Sequence, residues 1–126
     1  MIFGIGTDIV RVSRMQRNIE RYGDRFAQRI LTVAEMHDYR RDGRKAHFLA
    51  KRFAAKEAAA KAMGTGFSGG LGYHDIGVAH DTSGKPELAF SGVAAEFVHS
   101  RGINSAHVSL ADEEDHAVAF VTLARD

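Results

Sequence analysis

Two carboxylates, Asp8 and Glu57, stand out because of the residues around them. Asp8 lies beside glycines in the stretch GIGTDIV, and Glu57 lies in the alanine-rich stretch AKRFAAKEAAAKAMGTG. Two carboxylates give too few oxygens for a Ca²⁺ cage, but they suit Mg²⁺, which keeps waters and takes further ligands from phosphate groups. The nearby cations Lys61 and Arg52 would then hold the phosphate oxygens. The pattern therefore predicts a site where a divalent metal ion and a phosphorylated ligand meet.

Each of these residues also has a simpler structural explanation. Glu57 and Lys61 are one helical turn apart and would form an ordinary surface pair, worth about 0.2–0.5 kcal/mol. Asp8 precedes a segment that is predicted to be helical, and its side chain would serve as the N-cap of that helix. The sequence leaves both explanations open beside the metal-site hypothesis.

The two carboxylates must be positioned by a strand and a helix. Residues 2–10 are predicted to form a strand in which Gly4 and Gly6 share a face with Asp8, and strand glycines indicate close approach by another element. Residues 46–63 are predicted to form a long helix that ends at a glycine. One arc of this helix consists of Ala54, Ala55, Ala58, Ala59 and Ala62. Because alanine has little side-chain height, this arc can lie very close to a sheet or another helix and hold a site rigidly.

The remaining segments predict the fold class. The motif TVAE is a capping box that begins a short helix ending by Gly43, and the glycine-rich residues 64–72 form a loop. The other predicted elements are a helix over 12–30 that breaks near Gly23, strands at 73–80 and 86–91, a helix at 92–101, and a hairpin of 106–111 and 116–123. Helices gather in the first half and strands in the second. We therefore predict an α+β fold with a mostly antiparallel sheet packed against a long central helix and shorter helices.

Composition limits the class of protein. The chain has 126 residues, no cysteine and a formal net charge of +1, which is typical of one domain without disulfides or thiolate metal sites. The N-terminus lacks the basic flank and apolar run of a signal peptide, and no apolar run approaches the length of a membrane span. We expect a single domain over residues 1–126, located in the cytoplasm and without a membrane partner.

Four motifs in order resemble a known family. The stretches GIGTDIV, FLAKRFAAKEAAAKAMGTG, GKP and HVSLADE are similar to those of the holo-[acyl-carrier-protein] synthases, the bacterial-type 4′-phosphopantetheinyl transferases. The resemblance covers nearly the whole chain and implies their fold. It also implies transfer of 4′-phosphopantetheine from coenzyme A to a serine of apo-acyl carrier protein, with release of adenosine 3′,5′-bisphosphate. The resemblance further implies a requirement for Mg²⁺, a role in fatty acid biosynthesis, and a homotrimer with active sites between subunits.

The resemblance assigns roles to individual residues. The family's metal-binding aspartate and glutamate match Asp8 and Glu57, and its helix lysine matches Lys61, so these three are the predicted catalytic residues. The base that takes the serine proton stays open between Glu57 and a water held by the metal. The residues predicted to contact coenzyme A are Arg52, Lys61, Gly64, Thr65, Gly66, Lys85, Pro86 and His107.

Arginines recur at three- and four-residue spacing early in the chain. Most of the lysines and arginines lie between residues 11 and 56, which favours an acidic or phosphorylated partner for this half. A solvated helix face is the simpler alternative. The resemblance implies that acidic acyl carrier protein docks here, on Arg14, Arg21, Arg25, Phe26 and Arg29.

A non-catalytic binding module is the competing hypothesis for function. In that case the basic helix would dock an acidic protein or a nucleic acid. Nucleic acid is disfavoured because the chain is near neutral and its aromatic residues do not interleave with the arginines to form a stacking platform. The joint presence of Asp8 and Glu57 beside Lys61 favours the enzyme, since a binding module does not need them.

Overall fold

The computed structural model describes residues 1–126 and is organised around one long helix. The regular elements are β1 (Ile2–Arg11), α1 (Val12–Tyr22), α2 (Asp24–Ile30), α3 (Val33–Arg41), α4 (Lys45–Met63), β2 (Ile76–His80), β3 (Pro86–Phe90), α5 (Gly92–Ser100), β4 (Ser105–Asp112) and β5 (His116–Ala124). The predicted α+β class is confirmed. None of the helices combines the length and apolar character that crossing a bilayer demands.

The strands form two antiparallel sheets. One has three strands in the order β1-β5-β4, and the other pairs β2 with β3. In the first sheet, Gly6 and Val10 are buried against α4, whereas Ile5 and Ile9 on the opposite face are 58% and 65% exposed. The predicted antiparallel arrangement on a central helix is therefore confirmed, and one apolar face of the sheet stays uncovered.

Glycines in β1 allow the strand to touch the backbone of α4. A Cβ atom on Gly6 would overlap the carbonyl oxygen of Ala58 and lie 2.8 Å from the amide nitrogen of Ala62. A Cβ atom on Gly4 would likewise overlap the Ala62 carbonyl oxygen. The predicted close approach is confirmed. It fixes the two carboxylates relative to each other, because Asp8 follows Gly6 by two residues and Glu57 immediately precedes Ala58.

Helix α4 is buried on more sides than its sequence indicates. The five alanines of the predicted arc are at most 3% exposed, but Arg52 and Lys56, which lie outside this arc, are only 5% and 0% exposed. The Lys56 ammonium donates to Glu35 Oε1 at 2.7 Å and to the carbonyl oxygens of Tyr73 and Ile76. A buried lysine is tolerated because this carboxylate and the two carbonyls satisfy its charge and all three donors.

Two local features interrupt the regular elements, a break between α1 and α2 and a 3₁₀ turn before β2. The break predicted near Gly23 is confirmed, since this residue has φ 63° and separates α1 from α2. The strand predicted to begin at residue 73 begins later, because Tyr73–Asp75 forms a turn of 3₁₀-helix. The Asp75 carboxylate accepts a hydrogen bond from the Gly72 amide at 2.9 Å, which stabilises this turn before β2.

Candidate active site

Asp8 and Lys61 form the first half of the site. The Lys61 ammonium donates to Asp8 Oδ1 and to the Thr7 carbonyl oxygen, both at 3.0 Å. Asp8 lies within β1, and Arg11 occupies the N-cap position of α1 without a side-chain bond, so the N-cap explanation of Asp8 is wrong. The surface-pair explanation is also wrong, because Lys61 binds across to the strand and not to Glu57.

Glu57 and Tyr73 form the second half. The Tyr73 hydroxyl donates to Glu57 Oε1 at 2.8 Å. The tyrosine ring packs on the rings of Phe53 and Phe67, with centroid distances of 5.6 and 4.1 Å. Burial, followed by the hydrogen bond to Glu57 and its charge, raises the pKa of Tyr73 to about 12, so the phenol is a donor at neutral pH.

Tyr73 is a site residue that sequence reasoning missed. The sequence pattern predicts that Tyr73 begins a strand. Its only signal was an aromatic residue directly after the glycine-rich loop. That signal does not identify a partner sixteen residues away on α4, because the contact depends on how the loop folds back.

The donor set of the site suits a metal ion that needs few protein ligands. No group of three or more His, Cys, Asp or Glu side chains in the structure could hold a metal ion. The hydrogen bonds described above use one oxygen each of Asp8 and Glu57, which leaves the second oxygen of each carboxylate without a hydrogen-bond donor. This donor set fits Mg²⁺, which binds one or two carboxylates together with waters and phosphate oxygens.

Arg52 does not lie where a coenzyme A contact is expected. Its guanidinium is buried, with the central carbon 4.3 Å from the Phe48 ring centroid and Nε 3.8 Å from Glu35 Oε2. Burial lowers the pKa of Arg52, and the negative charge of Glu35 opposes this. The predicted cofactor contact is not supported by this position, because the side chain is part of the core beneath α3.

The loop after α4 caps the helix. Gly64 is left-handed, with φ 81°, as expected of a helix C-cap glycine. The amides of Gly64, Thr65 and Gly66 all donate to the last carbonyls of α4, at 3.0–3.3 Å. These three N–H groups therefore cap the C-terminus of α4, and they are not free to donate to a phosphate in this structure. Thr65 and Ser68 are the exposed polar side chains that this loop offers.

Lys85, Pro86 and His107 line one cavity of about 360 Å³ between β3 and β4. His107 is exposed while its neighbour Val108 is buried, as expected of successive residues in a strand. The register places His107 opposite Thr122 and Thr122 opposite Ile5, on the uncovered face of the three-stranded sheet. Asp8 points to the helix side of the same sheet. Within one chain, the His107 and Asp8 side chains therefore lie on different sides of the sheet, and the cavity borders β4, at the opposite edge of the sheet from β1.

The predicted docking arginines are all exposed. Arg14 and Arg21 lie on α1, and Arg25 and Arg29 lie on α2 beyond the break, while Phe26 is half-buried. The Arg14 guanidinium carbon is 5.3 Å from the ring centroid of Phe53, which in turn contacts Tyr73. The basic surface formed by these four arginines therefore begins next to the Glu57–Tyr73 pair.

Comparisons with known proteins identify the family of this chain. Residues 4–121 match the family model of the 4′-phosphopantetheinyl transferase superfamily. A holo-[acyl-carrier-protein] synthase of Halorhodospira halophila is 56% identical over 123 residues, covering 98% of both chains. The crystal structure of holo-[acyl-carrier-protein] synthase from Neisseria meningitidis has a TM-score of 0.93 and 44% identity, covering 99% of this chain and 100% of that one.

A third relative carries a bound nucleotide. The Bacillus anthracis holo-(acyl-carrier-protein) synthase, solved in complex with coenzyme A (3′,5′-ADP), has a TM-score of 0.83 and 35% identity, covering 100% of this chain and 99% of that one. Sequence, fold and site geometry thus lead to the same family, as the four motifs predict. The chain belongs to the 4′-phosphopantetheinyl transferase superfamily, within the family of holo-[acyl-carrier-protein] synthases.

Proposed function

We propose that this protein transfers 4′-phosphopantetheine from coenzyme A to a serine hydroxyl of apo-acyl carrier protein. Adenosine 3′,5′-bisphosphate is released, and the product supports fatty acid biosynthesis in the cytoplasm. The observation that carries the proposal is the convergence of Asp8, Lys61 and Glu57 where β1 meets α4. The names of the relatives support the same activity. We treat residues 1–126 as one domain, which is supported by a core of 30 buried residues from Val10 to Leu123.

The residues of the site have separate tasks in this reaction. Asp8 and Glu57 would hold Mg²⁺ through their free oxygens, and the ion supplies positive charge to the diphosphate of coenzyme A when bound. Lys61 is half-exposed and flexible, so its ammonium can turn from Asp8 to a phosphate oxygen. Positive charge placed beforehand stabilises the negative charge that grows in phosphoryl transfer.

The chemical step breaks a phosphoanhydride bond and forms a phosphate ester bond. The serine oxygen of the carrier protein attacks the phosphorus that bears the pantetheine arm, and the bond from that phosphorus to the bridging oxygen breaks. The bridging oxygen leaves with adenosine 3′,5′-bisphosphate. The serine proton goes to Glu57 or to a water molecule at the site, and these two routes are separable by experiment.

A mass measurement tests the function. The protein is mixed with coenzyme A, Mg²⁺ and an apo-acyl carrier protein, and the carrier is examined by intact mass spectrometry. We expect the carrier mass to increase by one phosphopantetheine group, and no increase when coenzyme A is omitted. A carrier that binds but keeps its mass would contradict the proposal and favour the binding-module alternative.

We also propose a homotrimer in which each active site is shared by two subunits. The uncovered face of the three-stranded sheet carries four apolar side chains that are 37–65% exposed, namely Ile5, Ile9, Val118 and Phe120. A contiguous apolar patch of this kind is typical of a subunit interface. The cavity of Lys85, Pro86 and His107 adjoins this face, so assembly could bring it to the carboxylates of a neighbouring copy.

Charge reversal on the interface tests the trimer. Phe120→Glu places a carboxylate on the apolar face, and we expect trimers to dissociate into smaller species with loss of transferase activity. Native mass spectrometry measures the subunit number. The control is Val33→Glu, because Val33 is 90% exposed on α3, outside the sheet. A Phe120→Glu protein that keeps the wild-type mass and activity would exclude this face as the interface.

Charge reversal on α1 tests the docking surface. We expect Arg14→Glu combined with Arg21→Glu to raise the KM for the carrier protein by about tenfold at low salt, because opposite charges steer association. The effect should shrink as salt is added. Arg40→Glu with Arg41→Glu is the matched control, since it changes the net charge equally on another exposed helix. An unchanged carrier KM at low salt would refute docking through α1.

A further inference from the structure

The Glu57 carboxylate has one hydrogen-bond donor in the structure, the Tyr73 hydroxyl at 2.8 Å. From this geometry we infer that Tyr73 is a positioning residue, which orients the Glu57 carboxylate so that its second oxygen faces the metal and the substrate. The inference rests on the proposed function, because it concerns a proposed metal ligand. It adds a residue that the predicted catalytic set, Asp8, Glu57 and Lys61, does not include.

Glu57 needs an external partner because its neighbours on α4 do not restrain it. Lys61, one turn further along, is bonded to Asp8 and to the Thr7 carbonyl oxygen across on β1. Lys56, the residue before Glu57, is turned into the core. Without the phenol, the half-exposed glutamate would be free to change rotamer. A ligand to a metal ion must instead be held close to one geometry.

Tyr73 is itself held at three points, so it can act as a rigid donor. Its ring lies against Phe53 and Phe67, at interplanar angles of 31° and 35°. Its carbonyl oxygen accepts a hydrogen bond from the Lys56 ammonium at 3.0 Å. Its hydroxyl bonds to Glu57. Two consecutive residues of α4 therefore bind the two ends of Tyr73. Lys56 donates to its backbone carbonyl, and Glu57 accepts from its hydroxyl.

The buried ion pair of α4 gains a role from this arrangement. Lys56 is fully buried and pairs with Glu35 Oε1 at 2.7 Å, and neither side chain is exposed at the surface of the site. The other Glu35 oxygen accepts from the amide of Val78 at 2.9 Å, which ties α3 to β2. The pair thus fixes the backbone at Tyr73, and through it the orientation of Glu57. Groups that support a metal ligand in this way commonly change metal affinity or activity by about 10- to 100-fold when they are removed.

Tyr73→Phe tests the inference because it removes one oxygen and keeps the ring. Mn²⁺ serves as the probe, and its binding to the full chain with coenzyme A but without carrier protein is measured by electron paramagnetic resonance. We expect the Mn²⁺ dissociation constant to rise about tenfold. We expect kcat to fall similarly, with the carrier KM and the melting temperature close to wild type. A merely structural tyrosine would not change metal affinity while leaving the melting temperature unchanged.

Two further proteins separate the possible failures. Tyr22→Phe is the matched control, since Tyr22 is 51% exposed, and it should match wild type in Mn²⁺ affinity and melting temperature. If Tyr73→Phe also matches wild type while Glu57→Gln binds Mn²⁺ poorly, Tyr73 only packs and the inference is overturned, but the proposed function stands. If the wild-type protein leaves the carrier unmodified, the proposed function itself fails.

Discussion

Replacing Gly6 with alanine is expected to lower the free energy of unfolding by about 3 kcal/mol or more. The added methyl group would overlap the Ala58 carbonyl oxygen and lie 2.8 Å from the Ala62 amide nitrogen. Both are backbone atoms of α4, so no side chain can rotate to make room. Strand β1 and helix α4 must instead separate, which opens the backbone contact between them. Urea denaturation followed by circular dichroism measures the loss.

The matched control is Gly43→Ala. A Cβ atom on Gly43 would meet nothing within 4 Å, and its backbone conformation does not require glycine. We expect this variant to change stability by less than about 1 kcal/mol. If Gly6→Ala were as stable as Gly43→Ala, the strand and the helix could not be in backbone contact.

The same substitution should also reduce activity in any fraction that folds. Asp8 follows Gly6 on β1, whereas Lys61 and Glu57 lie on α4, so separating the two elements moves the carboxylates apart. A displacement of about 1 Å in a positioned site can cost about a hundredfold in rate. Fold stability and catalytic geometry therefore depend on the same contact.

This contact is the part of the site that the sequence predicts well. Small residues occur at matching local spacings on both partners, with Gly4 and Gly6 in the strand and an alanine arc in the helix. Such patterns depend on periodicity alone, and the structure confirms them. The alternation that turns His107 away from Val108 is predictable for the same reason.

The burial of Arg52 and Lys56 was not predictable from local pattern. Helical periodicity places them away from the alanine arc, where charged residues usually face solvent. They are buried because Glu35, 21 residues before Lys56, brings a carboxylate from α3 onto α4. In the sequence Glu35 has only the role of a capping-box residue, and that role is real, since its Oε1 also accepts from the Thr32 amide at 2.9 Å. The second role of Glu35, pairing with Lys56, leaves no local pattern in the sequence, because the two residues are far apart along the chain.

The relation of the cavity to the carboxylates was also beyond the sequence. Lys85, Pro86 and His107 line one cavity beside β4, at the opposite edge of the sheet from β1, which carries Asp8. Strand pairing, and not residue spacing, decides this. In the proposed trimer a second copy of the chain completes the site. A contact between subunits leaves no recognisable pattern in the sequence of one chain.

Glu57→Gln is expected to lower kcat/KM for phosphopantetheine transfer by at least about a hundredfold. The change keeps the shape of the side chain and removes its negative charge, so it weakens a proposed metal ligand and removes a candidate base together. The fold should be retained, because Glu57 is half-exposed and bonds only to the Tyr73 hydroxyl, which an amide oxygen can still accept. Steady-state transfer to the carrier protein, measured by mass spectrometry, gives the loss.

Raising the Mg²⁺ concentration separates the two roles of Glu57. If the carboxylate acts chiefly as a metal ligand, excess Mg²⁺ should restore much of the lost rate, because the weakened site is then filled by mass action. If it takes the serine proton, kcat should stay low at saturating Mg²⁺, since no neutral amide accepts that proton. Glu96→Gln, on the exposed side of α5, is the control and should match wild type. Near-normal turnover of Glu57→Gln at ordinary Mg²⁺ would exclude both roles, and with them the assignment of this carboxylate to the active site.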